Sequence, residues 1–354
     1  MDNYDTGNNK MKESETNSIK NMTDKDIKKS AELWFNRTGG ACCIHFAISI
    51  VISAVVVFCL CMGEALAGKN EAELMESIQS GKNLLLTVMI SYIVANISAA
   101  VICLAFIKKL KSSPKKMFSK PEFSSKYILL AIPAAMFIQT VSMLLQSIFV
   151  SVSGSSGIKN MQMPSFIEGD ITNNILFVAY VVFIGPITEE ILFRGAVMKG
   201  FNFASRKFAI IMSAVMFAFF HGNILQGIIA FLLGIFFGYL DMKAGSIIPS
   251  VILHITNNGI ATILEYIQYK NGEELSDIFM IIYIGCSVLI GIVCMIVLMR
   301  ALKDKKMSDS TFFTPRIDAD KTLIRKCGIK AAVKCPLLWI FIAIYTVMII
   351  YNII

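Results

Sequence analysis

Six polar residues fall on apolar stretches where polar residues are otherwise scarce: Glu189, Glu190, Arg194, His221, His254 and Asn258. The first three belong to Gly185-Pro-Ile-Thr-Glu-Glu-Ile-Leu-Phe-Arg-Gly195, near the end of an apolar run that begins around Ile171. An ionisable side chain near the bilayer centre costs about 2.5 to 3.5 kcal/mol on insertion scales, so such groups persist where they pair, face a wet cavity or work. Glu190 and Arg194 are four apart with the acid N-terminal, the better orientation for an ion pair along one helix face. Glu189 lies about 100° round the helix from Glu190 and finds no partner there. Pro186, which has no N–H, predicts a kink or a freed carbonyl beside it. His221 closes Phe217-Ala-Phe-Phe-His221, and His254 opens His254-Ile-Thr-Asn-Asn258 with Asn258 on the same helix face. A carboxylate, two imidazoles and an amide match hydrolysis. Glu189, assisted by His221, would activate a water for attack on a peptide carbonyl. His254 and Asn258 would donate hydrogen bonds to the developing oxyanion. Arg194, by holding Glu190 ionised, would give the two adjacent carboxyls separate roles.

The elements that must carry these residues are membrane helices. Hydrophobic residues make up 55% of the chain and mean hydropathy is +0.65, with apolar runs of about 20 residues recurring. A water-soluble fold of 354 residues has too little interior to bury so many runs. The pattern predicts an all-α polytopic membrane bundle with eight or nine transmembrane helices, over 41–62, 84–107, 127–150, 172–198, 208–222, 224–242, 246–265, 278–300 and 336–354. The fifth is short, and with the sixth it could form a broken hairpin about Gly222 and Asn223. At 1.5 Å per residue Glu189 and His254 reach a similar depth of roughly 15 Å, and His221 lies a little deeper. Gly227, Gly234 and Gly238 form a small-residue stripe for close packing of the sixth helix. His45, alone at the start of the first span, reads as a packed or interfacial residue.

The chain divides into a polar tail over 1–40, expected to be disordered, N-terminal spans over 41–171, a catalytic core over 172–265 and C-terminal spans over 266–354. The net charge of +8 is concentrated in the loops 108–126, 199–207 and 301–335, whereas the alternate loops hold only Lys69, Lys82, Lys159 and Lys270. The positive-inside rule therefore places the N-terminus and the basic loops in the cytoplasm of a multi-pass cell-membrane protein. Residues 321–335 alternate basic and apolar side chains, which suits an amphipathic segment on an anionic leaflet and equally a solvated loop. None of the nine cysteines forms a CxxC pair, so neither a disulfide framework nor a cysteine metal site is expected. The expected partners are membrane lipids and a peptide or protein substrate, and no soluble basic domain offers itself to nucleic acid.

In order and spacing, Glu189-Glu190-x-x-x-Arg194, Phe217-x-x-x-His221 and His254-x-x-x-Asn258 resemble the three motifs of the CAAX protease and bacteriocin-processing family, intramembrane endopeptidases that include the Ras-converting CAAX prenyl endopeptidases. The resemblance covers 172–265. It implies an eight-helix-type membrane core with a site open to the cytoplasm, a catalytic set of Glu189, His221, His254 and Asn258, and support from Glu190 and Arg194. Eukaryotic members of that family cut the last three residues from prenylated CaaX proteins. Many bacterial members act in bacteriocin immunity, peptide-signal maturation or surface-protein handling. The family's mechanism is described both as a glutamate-activated water without metal and as a metal-dependent route. In the second case Glu189, His221 and His254 would ligate zinc and leave one position for water. The sequence has no His-Glu-x-x-His, which favours the metal-free route and no required cofactor. Intramembrane Glu, Arg and His also suit a proton- or ion-coupled transporter, or a non-catalytic membrane immunity or scaffold protein. The chain shows no convincing internal repeat of the transporter kind.

Overall fold

The computed structural model describes residues 23–68, 81–109, 113–153, 171–308 and 320–353, and among these there is no strand. The first helix, α1 (Asp24–Leu66), starts well inside the stretch read as a disordered tail. Thr23 and Asp26 form a capping box, with Asp26 N donating to Thr23 Oγ1 at 3.3 Å and Thr23 N to Asp26 Oδ2 at 3.1 Å. Ile27, Ala31, Phe35, Thr38, Cys42 and His45 are all buried, at the three- and four-residue spacing of one helix face. The tail is therefore helical from Asp24, because an amphipathic period runs through its charges. Its residues 1–22 lie outside the described part of the chain.

After α2 (Gly81–Lys109) and α3 (Ser125–Ser153), residues 171–201 form one composite helix. It comprises α4 (Ile171–Val178), the π-helical segment π1 (Ala179–Ile184), α5 (Gly185–Glu190), the second π segment π2 (Ile191–Met198) and a last turn. Next come α6 (Arg206–Phe220) and α7 (Ile224–Ala244), joined at Gly222 (φ 59°) and capped by Asn223, whose Oδ1 accepts from Leu225 N at 2.9 Å. The broken hairpin is thus present. Then α8 (Ile248–Lys303) consists of two rods that meet at Gly272 (φ 77°, ψ −176°). The last two helices, α9 (Lys321–Lys334) and α10 (Pro336–Ile353), meet at a 50° bend.

Among the described residues six helices are long and apolar enough to cross a membrane, or seven if the bent α9–α10 pair is one span, against the expected eight or nine. Two of the expected spans fall short for physical reasons. At 15 residues, α6 extends roughly 22 Å, less than the ~30 Å hydrocarbon core. The first rod of α8 carries His254, Thr256, Asn257 and Asn258, which lower its hydropathy. The polar residues that make the site interesting are those that hide its helix. The segment α9 is helical, with Cys327, Gly328, Ala331 and Ala332 buried and Lys321, Arg325, Lys326, Lys330 and Lys334 exposed.

One end of the bundle gathers the basic loops. Ile247 N donates to Met117 O at 3.0 Å, Glu122 N to Ala244 O at 2.8 Å, and Ser308 N to Met242 O at 2.9 Å. Arg206 reaches Met307 O and Ser308 O at 3.3 and 3.1 Å. Lys243 Nζ donates to the carbonyls of Leu302 and Lys305.

The glycine stripe of α7 faces α6. A Cβ on Gly234 would stand 3.1 Å from Ala214 Cβ and 3.2 Å from its Cα, and one on Gly227 would stand 3.3 Å from Ala218 O. Gly238 meets Ile210 of α6 and also Met198 of π2. This close approach carries His221, at the end of α6, into the bundle. Because backbone yields less than a flexible side chain, Gly234→Leu should destabilise the protein by about 1 to 3 kcal/mol. In detergent it should melt at lower temperature than wild type, whereas Gly285→Leu, with nothing within 4 Å of its added Cβ, should melt as wild type does.

Candidate active site

Pro186 shapes the site. In π1 the backbone follows an i→i+5 pattern, and Gly185 N–H donates to Tyr180 O. The next bond of that pattern would run from residue 186 to Val181 O, and proline cannot donate it. Asn258 Nδ2 fills the gap, donating to Val181 O at 2.9 Å. In π2, Ser213 Oγ on α6 likewise donates to Phe193 O at 2.8 Å. Carbonyls loosened by the two widened segments are thus satisfied from neighbouring helices, as an apolar surrounding requires. The amide assigned by its spacing to an oxyanion is engaged with backbone.

Between the π segments, one α-helical turn presents the two acids in different directions. Glu190 is fully buried. Its Oε2 lies 3.0 Å from Arg194 Nε and its Oε1 2.9 Å from His254 Nδ1. One carboxylate therefore joins the composite helix to α8. Arg194 is equally buried, with its guanidinium carbon 4.6 Å from the centre of the Phe217 ring and 5.8 Å from that of Phe237. Glu189 retains 15% side-chain exposure, and its Oε2 faces His254 Nε2 at 3.8 Å. The two nitrogens of His254 are thus divided between the two acids.

His221 sits at the C-cap of α6, and its Nδ1 lies 2.9 Å from Phe217 O. A carbonyl only accepts, so Nδ1 carries the proton and the neutral ring keeps Nε2 as an acceptor. The Phe217 ring meets both imidazoles edge-on, at 4.9 Å from His221 and 5.8 Å from His254 between ring centres. The Phe-x-x-x-His spacing therefore supplies a wall between the two bases as well as one of them. Among the described residues no three His, Cys, Asp or Glu side chains stand close enough together to hold a metal ion.

Reasoning from sequence missed Asp241. Fully buried near the end of α7, it accepts from Ser250 N at 3.0 Å through Oδ1, while Oδ2 has no hydrogen-bond partner. Ser250 is the third residue of α8, whose own N-cap, Ile247, supplies no side-chain bond. Asp241 therefore caps α8 from outside, where a carboxylate is favoured by the orphan N–H groups. His254 follows Ser250 by one turn on the same face, so this cap sets its height against Glu190. A lone acid in the otherwise uncharged run 224–242 was the signal available.

The geometry brings Glu189, Glu190, Arg194 and His254 together around one carboxylate, sets His221 behind Phe217, and ties Asn258 to the helix that carries both acids. Residues 171–260 match the Rce1-like family, described as type II CAAX prenyl endopeptidases. The matched segment contains all six site residues and coincides with the composite helix, the α6–α7 hairpin and the start of α8. This is the family that the three sequence motifs resemble, and the match supports peptidase activity of the CAAX endopeptidase class in general terms. No curated protein and no solved structure matches the chain.

Breaking the buried pair should destabilise the fold as well as the site. Arg194→Ala leaves Glu190 buried against one partner, at a cost of about 3 to 5 kcal/mol. The expected result is reduced yield and a lowered melting temperature in detergent. The double change Glu190→Gln with Arg194→Met, which removes both charges, should regain much of that stability without regaining activity.

Proposed function

We propose that the protein is an intramembrane endopeptidase that hydrolyses peptide bonds in membrane-associated proteins or peptides, lipidated chains included. The observation that carries this reading is the contrast between the two acids: Glu190 is buried and paired with Arg194 and His254, while Glu189 is partly open beside His254 Nε2. A water hydrogen-bonded to Glu189 loses a proton to that carboxylate as its oxygen bonds to the peptide carbonyl carbon, and the C=O π pair moves onto the carbonyl oxygen. His221 Nε2, a free acceptor in its neutral form, helps to orient the water. His254 gives Nδ1–H to Glu190, and once its ring takes up a second proton it turns Nε2–H toward the oxyanion. When the tetrahedral adduct collapses, the C–N bond breaks and the proton held by Glu189 passes to the leaving amine. No step in this scheme is routed through a metal.

Asn258 acts in this scheme by holding Val181, and so fixes the register of the helix that aims Glu189. The N-terminus and the basic end of the bundle face the cytoplasm, and the site opens to that side. The reading is supported by the charge of the loops and by their gathering at one end. The exposed basic face of α9, at the same end, lies on the anionic headgroups of that leaflet.

The test compares terminal peptides of membrane and secreted proteins from cells expressing wild type and Glu189→Gln at matched levels. New termini should form only with wild type, and their formation in isolated membranes should survive a zinc chelator. A phenotype of wild type without any difference in termini would instead favour a transporter or scaffold.

A further inference from the structure

We propose that Tyr180 is a further catalytic residue: its phenolic hydroxyl, aimed by Asn96 of α2, donates a hydrogen bond to the carbonyl oxygen of the scissile peptide bond. The inference rests on the endopeptidase reading above. In a regular α-helix the nine steps from Tyr180 to Glu189 would turn them about 180° apart, onto opposite faces. The π turn removes that separation. Residue 185 stacks on 180 through the i→i+5 bond, and 189 stacks on 185 through the following α turn. The missing side chain of Gly185 leaves the space that the two share: a Cβ built there would lie 3.9 Å from Tyr180 Cε2 and 3.8 Å from Glu189 Oε1.

The direction of the hydroxyl proton follows from its neighbours. Asn96 Nδ2 lies 2.9 Å from Tyr92 O and 3.1 Å from the Tyr180 hydroxyl. The Tyr92 carbonyl can only accept, which fixes that atom of Asn96 as the amide nitrogen, and an amide nitrogen can only donate. Tyr180 oxygen is therefore the acceptor in its bond with Asn96, and its own proton remains available. Among the described residues the hydroxyl has no second hydrogen-bond partner. The Tyr92 ring, 5.6 Å away between centres, packs against Tyr180 and restrains it. Elsewhere in the site one hydrogen of Asn258 Nδ2 goes to Val181 O and His254 Nδ1 lies against Glu190. An oxyanion beside Glu189 thus has His254 Nε2 on one side and the Tyr180 hydroxyl on the other.

The test uses detergent-purified full-length protein and a fluorogenic peptide spanning the cleavage site that the wild type generates in cells. Loss of a preorganised oxyanion donor lowers kcat by about 10²-fold. Tyr180→Phe, which keeps the ring, should lower kcat on that scale with KM changed less than about threefold. Asn96→Leu should cause a smaller fall in kcat, and adding it to Tyr180→Phe should cause no further fall, because Asn96 acts through the hydroxyl. A Tyr180→Phe protein with wild-type kcat would overturn the inference, as would independent, multiplying losses from the two changes. If Glu189→Gln in the same assay cleaves as wild type does, the endopeptidase reading itself fails and the inference with it.

Discussion

The Glu190 carboxylate, with one oxygen on Arg194 and the other on His254, is the interaction on which the rest of this structure depends. It lies fully buried, where an unshared charge would be expelled, so each of its partners must be in place for the helix pair to close. Arg194 in turn lies against the Phe217 ring, and Phe217 belongs to the helix that ends in His221. Through one acid, three helices acquire a common register. Glu189 stands outside that closure, partly exposed beside His254.

Some of this was legible in the sequence for simple reasons. Glu190 and Arg194 are related by a single helical turn, and no tertiary information is needed to pair them. The glycine stripe was readable as a packing face because spacings of seven and four keep Gly227, Gly234 and Gly238 on one side, although the neighbour they meet could not be named. The start of α1 was misread because charge outweighed pattern: seven acids and seven bases in 1–40 obscured the buried series from Ile27 to His45. The count of spans was harder to read, because an apolar run such as that of α6 has the composition of a span and only 15 residues of helix.

What the sequence concealed follows largely from one missing hydrogen. A reading at 100° per residue assumes a regular helix, and Pro186 prevents one. The register change in π1 places Tyr180 with Glu189 and recruits Asn258 to a backbone carbonyl, and neither relation can be counted along the chain. Asp241 was hidden differently, since its partner Ser250 lies across a turn that a left-handed Gly245 (φ 67°) makes tight. In both cases a polar side chain answers a backbone group left unpaired at a break in regular structure. Such breaks, more than the motifs themselves, decide which residues meet.

The π turn beside Pro186 also bears on which changes of sequence this protein can absorb. Apolar residues of π1 can exchange for one another with little consequence, because their task is to fill lipid-facing and packed positions of similar character. Removing or adding a single residue between Tyr180 and Glu189 is a different kind of change, for it rotates one side of the site against the other while leaving hydropathy and composition intact. In this segment the number of residues therefore constrains the geometry more tightly than their apolar identities do.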